Sequence, residues 1–400
     1  MPETHNESII FELYEKGTAA LFKNVYIKEE SKAAMIKLKL LGYLIIAICF
    51  SFTAIGQRID TTPLDAYWKM IEPLKQNDSL SVKDWYTFLA IDANKTYIEN
   101  QGFDSAYLEK LRKNIQYVYM PAYDSLLKAR VAAIEKDPAS YWITYKVYVY
   151  KKYEKELKQY QKQLASPAYL EAVYTNAFAW LPKNLQQKDT TANFYLLGIE
   201  NDAIAGGGTI IVTLWSAYNQ DKIKLGILGG HEMHHVLRKG IEFKNVGEND
   251  KGLLYVLNSI LNEGTADMID KVLAIAQEDE LPMGSKFKEF ELFEADSIVK
   301  QIDSSIQILS KTESKVYKTE KDYRNLLRWS SGHCPGYYMA DIIVRNGFKK
   351  QLISHIQNPF YFIYLYNRAA KKDIKNPPVF SSAAIKYIKL LEEKYLQKNS

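Results

Sequence analysis

Two stretches of sequence decide the fold. Residues 222–239 read KIKLGILGGHEMHHVLRK, and residues 250–272 read DKGLLYVLNSILNEGTADMIDKV. The first stretch predicts a helix from about Lys222 to Lys239, with Gly240 as its stop signal. The second stretch is strongly apolar and predicts a long helix over its whole length. Polar side chains of the kind that bind metal ions interrupt both patterns.

The first of these helices carries His-Glu-Met-His-His at residues 231–235, an H-E-x-x-H motif. At 3.6 residues per turn, His231 and His235 project from one face, so both imidazoles can reach one zinc ion. Glu232 lies to the side and is a candidate general base for a water molecule at that metal. His234 offers a second geometry at i, i+3, and we interpret it as a supporting or surface histidine.

The second helix continues an apolar stripe into two acidic residues. Val256, Ile260, Glu263 and Asp267 fall at i, i+4, i+7 and i+11 of one face. A charge buried on such a face is costly unless it has a metal ion or a hydrogen-bonded partner. We therefore predict Glu263 as the third metal ligand and Asp267 as an acceptor from a zinc-binding histidine. The alternative is that this end of the helix faces water.

H-E-x-x-H at 231–235, followed by N-E-x-x-x-D at 262–267, resembles the gluzincin pattern of thermolysin-like zinc metallopeptidases. More generally, the chain resembles poorly characterised exported bacterial zinc-dependent peptidases. The resemblance implies a zincin-like core with a small sheet and two metal-binding helices. It implies that Glu232 is the base and that Asp267 orients a histidine. By the same resemblance, one Zn²⁺ per chain is held by three ligands: His231, His235 and Glu263.

A third candidate segment follows at residues 330–338, which read SSGHCPGYY. Pro335 suits the first turn of a helix running to about Asn346. His333, with Tyr337 and Tyr338 close behind it, is a candidate donor to the oxyanion formed when water attacks a carbonyl group. Thermolysin-like enzymes supply a histidine or tyrosine in that role, which this segment resembles. The alternative is a capping or packed loop histidine.

Two short segments before the first helix predict strands. Asn193–Glu200 and Thr209–Leu214 are rich in β-branched and aromatic residues. Gly206, Gly207 and Gly208 lie between them and predict a turn beside an edge strand. An exposed sheet edge commonly binds a peptide as an added strand. The alternative is a structural hairpin whose edge is closed.

The composition is that of a folded globular protein. The 400 residues carry a formal net charge of +5, which is too small to indicate a nucleic-acid partner. The predicted class is α+β and predominantly helical. We expect a helical N-terminal lobe at 57–190, a catalytic core at 191–275 and a helical C-terminal lobe at 276–400.

The N-terminal residues predict export. Residues 35–56 combine lysines, an apolar stretch too short for a bilayer span, and a small-x-small site, as a signal peptide does. Residues 1–34 precede it and are interpreted as a mis-annotated or dispensable extension. Cleavage would remove Cys49 and leave Cys334 as the remaining cysteine, which excludes an internal disulfide. We expect no stable membrane span after cleavage; the alternative is an uncleaved signal anchor.

The favoured function is hydrolysis of peptide bonds in a peptide or protein substrate by an exported zinc metallopeptidase. A first alternative is a catalytically silent binding protein whose zinc site is structural, with His333 as the expected fourth ligand. A second alternative is a zinc hydrolase of non-peptide amides or esters. The sequence leaves the substrate preference and the oligomeric state open.

Overall fold

The computed structural model describes residues 57–282, 287 and 292–396. The predicted signal peptide at 35–56 and the extension at 1–34 lie outside the described residues. Residues from Gln57 onward form one compact unit. The division of this unit into lobes at 190 and 275 stays a prediction.

Short helices fill the first part of this unit. They form the helical N-terminal part expected from the sequence and are separated by breaks, for example at Pro121, which lacks the backbone N–H that a continuous helix requires. The helices are α1 (Thr62–Ile71), α2 (Val82–Leu89), α3 (Asp92–Gln101), α4 (Ser105–Tyr119), α5 (Asp124–Ile134), α6 (Trp142–Lys152), α7 (Glu154–Leu164) and α8 (Pro167–Phe178).

One small sheet follows, with strands β1 (Ile59–Asp60), β2 (Asn193–Leu197), β3 (Ala203–Gly206) and β4 (Thr209–Thr213) in the order β1-β2-β4-β3. The two strands expected from the sequence are β2 and β4. They pair in parallel and so do not form a hairpin. The hairpin partner of β4 is β3, an antiparallel edge strand that sequence analysis missed because its residues, AIAG, carry little β propensity.

The β3–β4 connection is the glycine turn that the sequence indicated. Gly206 and Thr209 are paired across the two strands, so only Gly207 and Gly208 form the loop. Both have positive φ, 57° and 76°, which fits a two-residue hairpin turn whose twist matches that of the strands. The turn leaves β3 at the edge of the sheet.

Helices make up the rest of the unit, so the α+β, predominantly helical class is confirmed. The three helices expected from the sequence correspond to α10, α11 and α14. No helix within the described ranges is both long and apolar enough to cross a membrane. The helices are α9 (Leu214–Gln220), α10 (Ile227–Arg238), α11 (Glu248–Ala276), α12 (Ala295–Lys311), α13 (Glu320–Leu327), α14 (His333–Arg345), α15 (Lys349–Ser354), α16 (Pro359–Ala370) and α17 (Ser382–Tyr395).

Helix α10 lies where two apolar cores meet. Leu228, Met233 and Leu237 belong to the core that α1–α8 build with the sheet. Ile227 belongs to the core that α11–α17 build. Because α10 packs against α8 and β3 and also against α11, its polar residues are held between two closely packed apolar cores.

Helices α11 and α14 are in backbone contact. A Cβ atom on Gly264 would lie 2.4 Å from the carbonyl oxygen of Gly336, and a Cβ on Gly336 would lie 2.5 Å from that of Ile260. Such distances exclude any larger residue without movement of a helix. The contact brings His333, one turn before Gly336, beside Glu263 of α11.

Asp221 is hydrogen-bonded to the residue that precedes α10. Its carboxylate accepts hydrogen bonds from the backbone N–H of Gly226 (2.9 Å) and from the hydroxyl of Tyr160. Burial nevertheless raises the pKa of Asp221 to about 6, because these hydrogen bonds only partly offset the loss of water around the charge. The native state therefore binds this proton more tightly than the unfolded chain does.

We predict that Asp221→Asn stabilises the protein near pH 7 and leaves it unchanged near pH 4. Between the ordinary pKa near 3.8 and the native pKa near 6, the wild type loses free energy of unfolding as the pH rises. The full cost above pH 6 is at most roughly 3 kcal/mol. The amide keeps an acceptor for Gly226 and removes the charge. Urea unfolding of both proteins from pH 4 to 8 measures this, and a pH-independent difference would contradict it.

Candidate metal centre

The three predicted ligands converge at the α10–α11 interface. His231 Nε2 lies 3.1 Å from His235 Nε2 and 3.7 Å from Glu263 Oε2. His235 Nε2 lies 3.2 Å from the same carboxylate oxygen. The two histidines meet because they are one helical turn apart, and Glu263 meets them because α11 crosses α10 at this level. We call these three atoms the ligand triad.

The spacing of the ligand triad fits a zinc ion. Zinc–ligand distances of about 2.0–2.1 Å in a tetrahedral site place neighbouring ligand atoms roughly 3.3–3.4 Å apart. The observed separations of 3.1–3.7 Å bracket that value. Three protein ligands leave the fourth tetrahedral position for water or substrate, as in catalytic sites.

The residue behind His231 differs from the sequence prediction. Asp270 Oδ1 accepts a hydrogen bond from His231 Nδ1 at 3.0 Å, which leaves the lone pair of Nε2 available to a metal ion. Asp267, predicted to accept from a zinc-binding histidine, instead accepts from His333 Nδ1 at 2.9 Å and lies 3.8 Å from His231 Nδ1. The helix crossing decides which carboxylate meets which ring.

Negative charge accumulates around the ligand triad. Asp267 and Asp270 are completely buried, and Lys271 pairs with Asp270 at 2.7 Å. Burial opposes a charged His231, but Asp270 and Glu263 outweigh it and hold its pKa well above the ordinary value. The carboxylates thus favour a positive charge at this position, and a metal cation can take the place of the proton.

Glu232 is also buried, with 5% of its surface exposed. Burial raises the pKa of its carboxyl group, and the nearby His231 and His235 only partly counteract that effect. A carboxylate whose pKa moves toward neutrality is better matched to proton transfer than one at its ordinary value. The environment of Glu232 therefore suits the base predicted from the sequence.

His333 begins α14 beside the triad. Its Nε2 lies 3.4 Å from Glu263 Oε2, and its side chain is 28% exposed. Burial opposes the charged ring, but Asp267 and Glu263 raise the pKa of His333 to about 9. The ring also groups with His231 and Asp267 in a second set of potential ligands. It is thus close to the triad and in reach of solvent.

The two predicted tyrosine donors make contacts outside the ligand triad. The Tyr337 ring packs edge-on against Phe287 at 5.5 Å, and the Tyr338 hydroxyl interacts with Asp296. His333 lies at the ligand triad, with its Nε2 3.4 Å from Glu263 Oε2. The oxyanion roles of Tyr337 and Tyr338 stay predictions.

Burial also decides between the two interpretations of His234. His234 is 0% exposed, so it is not a surface histidine. Burial lowers the pKa of its ring well below the ordinary value, which keeps it neutral. The interpretation that remains is a supporting histidine, buried in the core beside α10. Cys334 is buried.

Sequence analysis missed three residues that contact the ligands or their neighbours. Asp270 follows Glu263 by seven positions and Asp267 by three, so the same helical periodicity contained the signal. Arg238 follows His235 by three positions on the ligand face of α10. Asn262 was noted only as a letter of the motif, yet its amide contacts Glu263 directly.

Comparison with protein families gives a match over most of the chain. Residues 85–375 match the family model described as "Putative zinc dependent peptidase (DUF5700)". The chain belongs to this family. The matched segment contains both ligand helices and His333, and the family is zinc dependent, in agreement with the candidate metal-binding groups of the structure. A family of peptidases implies a peptide or protein substrate. Searches of curated proteins and of solved structures found no match.

We predict that Asp270→Asn weakens zinc binding by roughly 10- to 100-fold, the usual cost of losing the carboxylate behind a ligating histidine. Asp267→Asn is the matched control, because its hydrogen bond goes to His333, and we expect its zinc affinity to stay within about threefold of wild type. Competition with a chromophoric chelator measures both affinities. The opposite ranking would assign Asp267 the role that the sequence predicted for it.

Proposed function

We propose that this member of a zinc peptidase family is an exported metallopeptidase of the gluzincin type, which hydrolyses peptide bonds with water. The observation that carries the proposal is the convergence of His231, His235 and Glu263 at tetrahedral spacing. Burial of Glu232 beside them and the partial exposure of His333 support catalysis over a purely structural site.

Each residue has a role that its surroundings favour. Zinc bound by the ligand triad would supply a Lewis acid for the scissile carbonyl and lower the pKa of water. The Glu232 carboxylate takes a proton from the attacking water and delivers it to the leaving amine nitrogen. His333 donates a hydrogen bond from Nε2 to the developing oxyanion. Asp267 accepts a hydrogen bond from Nδ1 of His333 and thereby stabilises the protonated imidazole ring.

The edge strand β3 is the proposed docking site for the substrate backbone. It pairs with β4 on one side and packs along α10, the helix that carries Glu232. Ala203, Ile204 and Ala205 are partly buried and Gly206 is exposed, and three of the four are small, so an extended peptide can approach the backbone closely. A peptide added there would run beside the ligand triad, which favours a peptide over a compact amide or ester substrate.

Export is proposed from the layout of residues 35–56. We predict that the chain produced from Met35 in a bacterial host is found outside the cytoplasm and begins at Gln57. Cell fractionation followed by N-terminal sequencing measures both. A product that stays in the cytoplasm with residues 35–56 intact would contradict the prediction.

We predict that Glu263→Ala and Glu232→Gln separate metal binding from catalysis. The wild type should bind one zinc ion per chain, and Glu263→Ala should lose most of it. Glu232→Gln should keep the zinc and lose peptide hydrolysis by roughly 10²- to 10⁴-fold, because it removes a general base. Elemental mass spectrometry and a peptide-library assay give the two readouts.

Glu99→Gln, on the exposed face of α3, is the control and should change neither readout. Unchanged hydrolysis in a zinc-loaded Glu232→Gln protein would overturn the proposed mechanism. His333→Ala tests the structural alternative. Retained zinc with slower hydrolysis fits an oxyanion donor, whereas lost zinc identifies His333 as a fourth ligand of a closed site.

A further inference from the structure

Arg238 is a buried cation that forms no ion pair with a carboxylate among the residues that the structure describes. Only 3% of its surface is exposed. Its three hydrogen bonds go to neutral oxygens: Nε to Asn262 Oδ1 (3.0 Å), Nη1 to the Ile356 carbonyl (3.1 Å) and Nη2 to Asn258 Oδ1 (3.3 Å). A guanidinium group buried among neutral acceptors is costly, so a nearby negative charge is needed to account for it.

That charge is the ligand Glu263, reached through one amide group. Asn262 Nδ2 donates to Glu263 Oε1 at 3.1 Å. Burial lowers the pKa of Arg238 to about 10, and the Glu263 charge is what counteracts the effect. The two charged groups thus bind opposite ends of the same side-chain amide.

The amide orientation follows from the chemistry of its neighbours. A guanidinium group can only donate, and an ionised carboxylate can only accept. Asn262 satisfies both only when its oxygen faces Arg238 and its NH₂ group faces Glu263. Without the guanidinium, the amide could turn its oxygen toward the carboxylate and repel it.

We propose that Arg238 and Asn262 are positioning residues for the metal ligand Glu263. The guanidinium fixes the Asn262 amide, and the amide holds Oε1 of Glu263 so that Oε2 faces His231 and His235. The inference rests on the proposed function, because it takes Glu263 as a ligand. It adds to that function two residues outside the ligand triad that set the affinity for the metal.

Asn262→Asp is the decisive variant. It keeps an oxygen acceptor for Arg238, so the buried cation stays paired, but it removes the donor to Glu263 and places a like charge beside that ligand. Asn258→Ala is the matched control, because Asn258 accepts from the same guanidinium of Arg238 and its amide is not hydrogen-bonded to Glu263. Asn262→Ala and Arg238→Met complete the set.

The measurements are zinc affinity, by competition with a chromophoric chelator, and thermal unfolding of the metal-free proteins. We expect Asn262→Asp and Asn262→Ala to bind zinc roughly 10- to 100-fold more weakly than wild type. Asn258→Ala should stay within about threefold. Arg238→Met should weaken binding in the same direction, and its combination with Asn262→Ala should add little, because both act through one amide. Metal-free Asn262→Asp should unfold near the wild-type temperature.

Wild-type zinc affinity in both Asn262 variants would overturn the inference, as would an equal loss in Asn258→Ala, which would make Arg238 a packing residue only. These results leave the proposed function intact, because the wild type still binds zinc. Failure of the wild type itself to bind zinc would instead overturn the ligand scheme.

Discussion

The interface of α10 and α11 is constrained by the cost of burying carboxylates. Glu232, Glu263, Asp267 and Asp270 lie in or beside it, and two of them are completely sealed from solvent. Such charges persist in a protein interior only where cations and hydrogen-bond donors compensate them. Two histidines, Lys271 and Arg238 compensate part of the buried negative charge, and a bound zinc ion would compensate the rest. The rest of the structure can be understood as the means of holding these groups together.

Helix packing fixes the positions of the candidate metal ligands and of His333. The glycine contact between α11 and α14 brings two backbones together, which sets His333 against Glu263 and Asp267. Helix α10 is fixed between the sheet-side core and the core of the later helices. The ligands therefore come from regular elements whose side chains are locked by neighbours, a condition that favours fixed metal geometry over a mobile loop site.

The solvent exposure of the side chains increases from the supporting carboxylates to His333 and Glu263. The supporting carboxylates have no contact with solvent, whereas the ring of His333 and the side chain of Glu263 are partly accessible. The edge strand β3 lies along the same ligand helix. The proposed hydrolysis requires a metal ion that is held from the buried side and can be reached from the accessible side, whereas a structural site does not.

The sequence by itself determined what depends on helical periodicity. It placed His231, Glu232 and His235 on one turn, put Glu263 and Asp267 on one face, and indicated a mostly helical α+β chain. It did not give the parallel pairing of β2 with β4, the strand β3, or the carboxylate that each histidine meets. Asp270 rather than Asp267 supports His231, and His333 joins from about seventy residues downstream. These features were decided by the tertiary structure, because a hydrogen-bond partner depends on where two helices cross and how closely they approach.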